Sequence, residues 1–370
     1  MKVLLLLGAL LSATPVAVFA QSDPICATPD LANDGWHVAD PGAEGMDNDR
    51  LCSIGVHFVG KKVHAVVVAR HGVLVYEHYF TAEDPPQLGL VTFDANTTHT
   101  LRSVSKSVVS LVLGIAIGKG QIGDLDQPVL PMLVGYQDLR TPERDRITLR
   151  HLLTMTQGLA WDQESYKYGD FRNDETSMAQ SPDPIRYVFG RAIAEPPGTT
   201  FKYSSASAQV IARLLRQATG QQIDALARAT LFEPLGITDF DWRITRSGEP
   251  SASGGLWLRA RDALKIGQLV LDRGAWQGHQ VVPAGWIEAA TSSEGSHLAF
   301  YGYQFWLGHS PFREGTVAWA AAFGLGGQRI YIVPSLDLAV VVFAGLYGES
   351  AQESKVEPVL NDFVLPAVTE

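Results

Sequence analysis

Ser103-Val104-Ser105-Lys106-Ser107-Val108-Val109-Ser110-Leu111-Val112-Leu113-Gly114-Ile115-Ala116-Ile117 opens on hydroxyl and amine groups and continues as a nearly unbroken apolar run. From Val108 to Ile117 it falls well short of the ~20 residues needed to cross a bilayer, so it reads as a core helix. Residues three apart share a helix face, which lets the Ser103 hydroxyl and the Lys106 amine meet. At the head of so apolar a helix Lys106 loses hydration, and desolvation lowers a lysine pKa. A serine alone is a poor nucleophile, and a neutral amine beside it makes it a usable one. The helix N-terminus adds partial positive charge near the Ser103 backbone N–H, where an oxyanion would develop. The same spacing also suits a capping serine followed by a lysine whose stem lies along the helix. Ser105 is the lesser nucleophile candidate, because Val108 stands three residues beyond it.

Two further segments carry chemistry-bearing groups. Pro197-Gly198-Thr199-Thr200-Phe201-Lys202-Tyr203-Ser204-Ser205 runs into a helical stretch, so Tyr203 can present its hydroxyl to a pocket and Ser205 can hydrogen-bond an amine. A packed tyrosine with a capping serine fits equally well. Ala322-Phe323-Gly324-Leu325-Gly326-Gly327-Gln328 leads into a strand, and its glycines let the backbone approach a ligand or form a bulged edge.

Further out, Val63 to Arg70, His71-Gly72 and Val73 to Phe80 form a hairpin pattern. A second hairpin joins Gln328 to Val333 and Leu338 to Gly345 through Pro334-Ser335-Leu336-Asp337. Between them lie helical segments at Ser103 to Ile117, Leu149 to Met155, Ala206 to Ala218, Ile223 to Leu231 and Ala260 to Leu271. The expectation is an α/β (α+β) fold, an antiparallel sheet built from both ends of the chain, flanked by helices and carrying an inserted helical domain. The boundaries expected are 1–20 leader, 21–62 N-terminal arm, 63–100 with 245–370 sheet domain, and 101–244 helical domain.

Taken in order, Ser103-x-x-Lys106, Tyr203-x-Ser205 and the glycine-rich segment resemble the three motifs of the serine β-lactamase and penicillin-binding-protein superfamily. His151-Leu152-Leu153-Thr154-Met155-Thr156-Gln157-Gly158-Leu159, Glu233-Pro234-Leu235-Gly236-Ile237 and Gly254-Gly255-Leu256-Trp257 with Asp262 resemble it too. The likeness runs from about Val63 to Gly345 and is closest to the branch of esterases and 6-aminohexanoate-dimer hydrolases. It implies a β-lactamase/transpeptidase-like fold in which Ser103 is acylated. Lys106 and Tyr203 would share acid/base work, with Ser205 orienting Lys106. The backbone N–H groups of Ser103 and Leu325 would form the oxyanion hole, with Gly324 supporting it. Two departures stand out. Ser205 replaces an asparagine common in β-lactamases, and Ala322-Phe323-Gly324 fills the slot of Lys-Thr-Gly. Ala322 cannot hold a substrate carboxylate as that lysine does, so Ala322 and Phe323 are expected to favour neutral, partly apolar substrates.

The rest of the sequence narrows the class. The 370 residues are 46% hydrophobic and 18% charged, enough to bury a large core. A formal net charge of -10 without a basic run excludes a nucleic-acid partner. No G-x-S-x-G, H-E-x-x-H or G-x-x-x-x-G-K-[ST] is present, and Arg329 interrupts what would be G-x-G-x-x-G. Met1 to Ala20 has the layout of a secretory signal peptide, giving a mature start near Gln21, a secreted or periplasmic location and no remaining membrane span. The two cysteines, Cys26 and Cys52, are expected to pair after export. No metal or organic cofactor is expected. The leading reading is a serine hydrolase, a carboxylesterase or amidase acting on a small-molecule ester or amide through a Ser103 acyl-enzyme. Its rivals are a β-lactamase or D-alanyl-D-alanine carboxypeptidase, and a non-catalytic sensor or binding module of the same fold.

Overall fold

The computed structural model describes residues 28–85, 89–293, 296–349 and 352–369. Met1 to Ala20, expected from the sequence to be a leader, and Cys26 lie outside them, while Cys52 is disulfide-bonded. The first strands are β1 (His37–Val38), β2 (Val63–Arg70), β3 (Val73–Tyr79), β4 (Thr81–Asp84), β5 (Gly89–Thr92) and β6 (Thr98–Thr100). After the helical region come β7 (Asp241–Trp242), β8 (Leu256–Arg259), β9 (Ala275–Trp276) and β10 (His279–Gln280). The chain then supplies β11 (Trp306–Phe312), β12 (Gly315–Gly324), β13 (Gln328–Val333) and β14 (Leu338–Ala344).

Seven of these form the main sheet in the order β1-β3-β2-β14-β13-β12-β11. Its centre joins the two ends of the chain: β2 pairs antiparallel with β14, with Val68 opposite Val340. Every residue of both strands is buried, which explains why they read as continuous β-branched runs. Side chains alternate between faces. Val67, Val341 and Ile330 pack with the helices Val104–Gly118 and Ala260–Leu271, while Val66, Val68, Val340 and Tyr331 pack on the other face with the helix Asn48–His57 and the C-terminal segment. The first hairpin turns at His71 and Gly72, both at positive φ (53° and 75°), as a two-residue turn between right-twisted strands requires.

One element departs from an all-antiparallel sheet. The two residues of β1 run parallel to β3, because the N-terminal arm lies along that edge. The arm is fixed by Arg261, whose guanidinium holds Glu77, Asp34 (3.0 Å) and the Asp30 carbonyl (2.8 Å). The glycine-rich segment also differs from expectation. It is neither a lone strand entry nor an edge: β12 ends at Gly324 and lies between β11 and β13, and Leu325 to Gly327 make the turn.

The helix opened by Ser103 spans Val104–Gly118 and is buried on all sides through Ala116, the pattern of a helix enclosed in a core. Ser205–Thr219 and Ala260–Leu271 form as read, whereas the stretch after Ile223 is α-helical only to Ala227 and continues as a wider turn to Phe232. Among the described residues, no helix is long and apolar enough to cross a membrane.

Candidate active site

The chain enters the site through a strained turn. β6 pairs with β8, and Leu101 N–H donates to the Leu256 carbonyl at 2.8 Å, which pins the strand exit. Arg102 then adopts φ +49°, a left-handed conformation uncommon for a side-chain-bearing residue. That turn sets Ser103 at the head of its helix, at φ -67° and ψ -8°. Gly324 packs from the opposite side so closely that a Cβ there would lie 2.3 Å from the Leu101 carbonyl oxygen.

Lys106 is buried and lies one helical turn on, with Nζ 2.9 Å from Ser103 Oγ and 2.8 Å from the Ser253 carbonyl. Burial pushes its pKa down to about 7, while the nearby Glu175 carboxylate raises it. Burial in turn pushes Glu175 above the usual carboxyl range, opposed by Lys106 and Arg102. Tyr203 hydrogen-bonds Ser103, and its ring centroid lies 5.1 Å from Lys106 Nζ. Burial pushes this phenol up to about 12, against the lowering effect of that hydrogen bond. The Lys106 amine and the Tyr203 phenol thus share the Ser103 hydroxyl and are pushed in opposite directions from nearly the same ordinary value.

Two cavities of about 760 and 620 Å³ meet at this point, and Ser103, Tyr168 and Leu325 line both. The larger is walled in part by the polar side chains of Thr98, Thr100, Arg102, Glu175, Arg243 and Ser253. The other is aromatic. Its wall is a stack in which the Trp306 ring lies between Tyr203 (5.7 Å, 28°) and Phe323 (5.9 Å, 19°), with the Arg329 guanidinium 4.3 Å from the Phe323 centroid. The segment 162–173 closes one side, tied by Asn173 Nδ2 to the carbonyls of Gln163 (3.0 Å) and Tyr166 (2.8 Å).

Of the residues singled out in sequence, Ser103, Lys106 and Tyr203 converge, and Leu325, Gly324 and Phe323 line the cleft beside them. Ser205 also lines it, but its backbone N–H is held by Gln163 Oε1 at 2.7 Å, and the second anchor of Lys106 is Ser253, not Ser205. Ala322 lines neither cavity. It points to the opposite face of β12 from Phe323 and is buried in the main apolar cluster with Ile330, its partner across the ladder. Tyr168, Glu175, Ser253 and Trp306 were not singled out. Their sequence surroundings hold no distinctive spacing, although Ser253 directly precedes the Gly254-Gly255-Leu256-Trp257 segment.

Comparison with known proteins bears on this geometry. The chain is 27% identical over 276 residues to a 6-aminohexanoate-dimer hydrolase of Paenarthrobacter ureafaciens, an alignment covering 67% of this chain and 66% of that protein. It is 28% identical over 188 residues to the esterase EstB of Burkholderia gladioli, covering 47% of this chain and 45% of that one. The chain therefore spans just under two thirds of the first relative's length and less than half of the second's. A solved penicillin-binding protein homologue from Pyrococcus abyssi shares the fold, with a TM-score of 0.65 and 20% identity over 85% of this chain and 77% of that chain. The β-lactamase family profile matches residues 59–356, which take in the Ser103 helix, the Tyr203 segment and the Gly324 turn, and the chain belongs to that family.

Proposed function

We propose that the protein is an exported serine hydrolase that cleaves small, neutral and partly apolar esters or amides through an acyl-enzyme on Ser103. The observation that carries this reading is the buried Lys106 amine, pushed down to about 7, at 2.9 Å from the Ser103 hydroxyl where two cavities meet. Neutral Lys106 accepts the Ser103 proton as Oγ attacks the substrate carbonyl carbon. The resulting oxyanion is held by the backbone N–H groups of Ser103 and Leu325. Tyr203 stays protonated at neutral pH, which suits it to pass a proton to the departing alkoxide or amine while Lys106 serves as the base. Lys106 returns its proton to Tyr203 and is neutral again; water then attacks the acyl carbon as Lys106 takes its proton, and that proton passes to Ser103 Oγ as the acid leaves, restoring Ser103.

The aromatic wall of Tyr203, Trp306 and Phe323 supports an apolar substrate group on one side of Ser103. On the other side, Arg102, Arg243 and Glu175 suit a polar group. The named activities of the two relatives, hydrolysis of an amide dimer and of esters, point to the same substrate classes. The test combines fluorophosphonate labelling, read by intact mass, with turnover of p-nitrophenyl esters and nitrocefin. Labelling at Ser103 with ester turnover well above nitrocefin turnover is the expected result. Absence of labelling, or nitrocefin turnover far above that of every ester and amide tried, overturns the reading.

A further inference from the structure

Away from the Ser103 chemistry, three strands bring together side chains that the hydrolase reading does not use. His64 on β2, Asp84 at the end of β4 and His99 on β6 are exposed by no more than 1%, and one ligand atom from each lies within 4.8 Å of the others. Phe93 stacks on the His64 ring at 4.1 Å and Phe343 on the His99 ring at 4.8 Å, so the cluster is walled by aromatic faces.

The ring protons of the two histidines do not suffice for their surroundings. His99 Nδ1 faces the Thr100 carbonyl at 2.9 Å, and His64 Nε2 faces the Glu83 carbonyl at 3.0 Å. A carbonyl only accepts, so each outer nitrogen must carry its ring's single N–H. The inner nitrogens, His64 Nδ1 and His99 Nε2, then turn lone pairs toward each other at 2.8 Å. A positive centre between them resolves the conflict, and it is either a third proton or a metal ion. The Asp84 carboxylate, whose oxygen lies within the same 4.8 Å, offers that centre a third donor, which a metal ion takes up and a proton shared between two nitrogens does not.

We propose that His64 Nδ1, His99 Nε2 and the Asp84 carboxylate form a zinc site, with a water as the fourth ligand, that ties β2, β4 and β6 together. Imidazole nitrogens with a carboxylate oxygen are a donor set suited to zinc. Donation of the second ring N–H to a backbone carbonyl is the usual outer support of a metal-bound histidine, and both rings have it. Two nitrogens on a tetrahedral zinc at ~2.0 Å stand about 3.3 Å apart, so uptake spreads the rings by roughly half an ångström. The site holds His99, which lies on the strand that leads to Ser103, and takes no part in bond cleavage.

The experiment strips the purified full chain with a chelator, adds zinc chloride, and measures bound metal by mass spectrometry and unfolding by calorimetry. One zinc per chain and a melting temperature raised by several degrees are expected. Asp84→Asn and His64→Gln should each abolish both effects. Crystals of the unsubstituted protein grown with zinc should give an anomalous peak between His64 Nδ1 and His99 Nε2 at the zinc edge. That map decides the matter if the variants fold poorly. No zinc uptake by the unsubstituted protein, uptake that survives both substitutions, or an anomalous peak only at surface histidines overturns the site.

Discussion

Lys106 Nζ donates to the backbone carbonyl of Ser253 at 2.8 Å, so the amine beside the Ser103 hydroxyl is anchored by main chain and not by a carboxylate. A carboxylate in that place would stabilise the ammonium form. The carbonyl fixes position without supplying a full negative charge, and burial is left to govern the proton.

That arrangement sets the pH dependence. In the proposed mechanism activity requires neutral Lys106, so kcat/KM for a p-nitrophenyl ester should rise with pH through an apparent pKa near 7. Glu175 raises the lysine pKa, and Glu175→Gln should therefore shift the rising limb to lower pH. A pH-rate profile of the two proteins measures this. A limb that moves to higher pH in the variant would contradict the assigned electrostatics.

Ser103→Ala should abolish turnover and covalent labelling, while Lys106→Ala and Tyr203→Phe should each lower kcat by about 10²-fold with the fold retained. Stopped-flow kinetics and circular dichroism on the three variants separate lost chemistry from lost structure.

Ser105 tests the choice of nucleophile from the other side. Its hydroxyl donates to the Arg102 carbonyl at 2.6 Å and accepts the Leu256 N–H at 3.2 Å, which makes it a strut of the turn. Ser105→Ala should cost about 1–3 kcal/mol of stability by stranding buried groups, yet keep fluorophosphonate labelling. Denaturant melts with intact-mass labelling check both halves, and loss of labelling in a folded variant would reverse the assignment.

Gly324→Ala would drive a methyl group into the Leu101 carbonyl oxygen, 2.3 Å from where the Cβ must sit. Strain of about 1–3 kcal/mol and a fall in kcat are expected, because the displaced segment carries the turn that aims Ser103. A crystal structure of the variant, read with its kinetics, should show the backbone between Leu101 and Ser103 shifted.

Arg261→Met should destabilise the protein by about 3–5 kcal/mol, since it leaves Glu77 and Asp34 without their shared cation in a largely buried place. Chemical denaturation gives the loss, and limited proteolysis should then cut within the N-terminal arm first.

The legible parts of this molecule were those governed by local periodicity. Val63–Arg70 and Leu338–Ala344 announce strands because both faces are buried, and the Ser103 helix announces itself because it is apolar all round. The site was legible where local spacing brings groups together, as for Ser103 and Lys106. What depends on long-range packing was not. Glu175 is placed beside Lys106 by the short helix Asp174–Ala179, and Ser253 by a loop far along the chain. Ala322 was read as a cleft residue by its place in a motif, but the alternation of β12 turns it into the core and leaves Phe323 on the wall. The two histidines of the β2 and β6 cluster are separated in sequence by a hairpin and carry no motif spacing.

The pairing of Val68 with Val340 at the middle of the sheet also governs how the protein is made. A chain still on the ribosome can form the β2 and β3 hairpin early, but the hairpin's partner strand, Leu338–Ala344, is synthesised only after the whole helical region. Until then a wide β-branched edge has nothing to pair with. Closure of the sheet is thus a late, non-local event, and contacts of such sequence separation slow folding. A nascent or C-terminally shortened chain would expose the surface most prone to aggregation, so its yield in cells should depend on holding that edge covered until the last strand arrives.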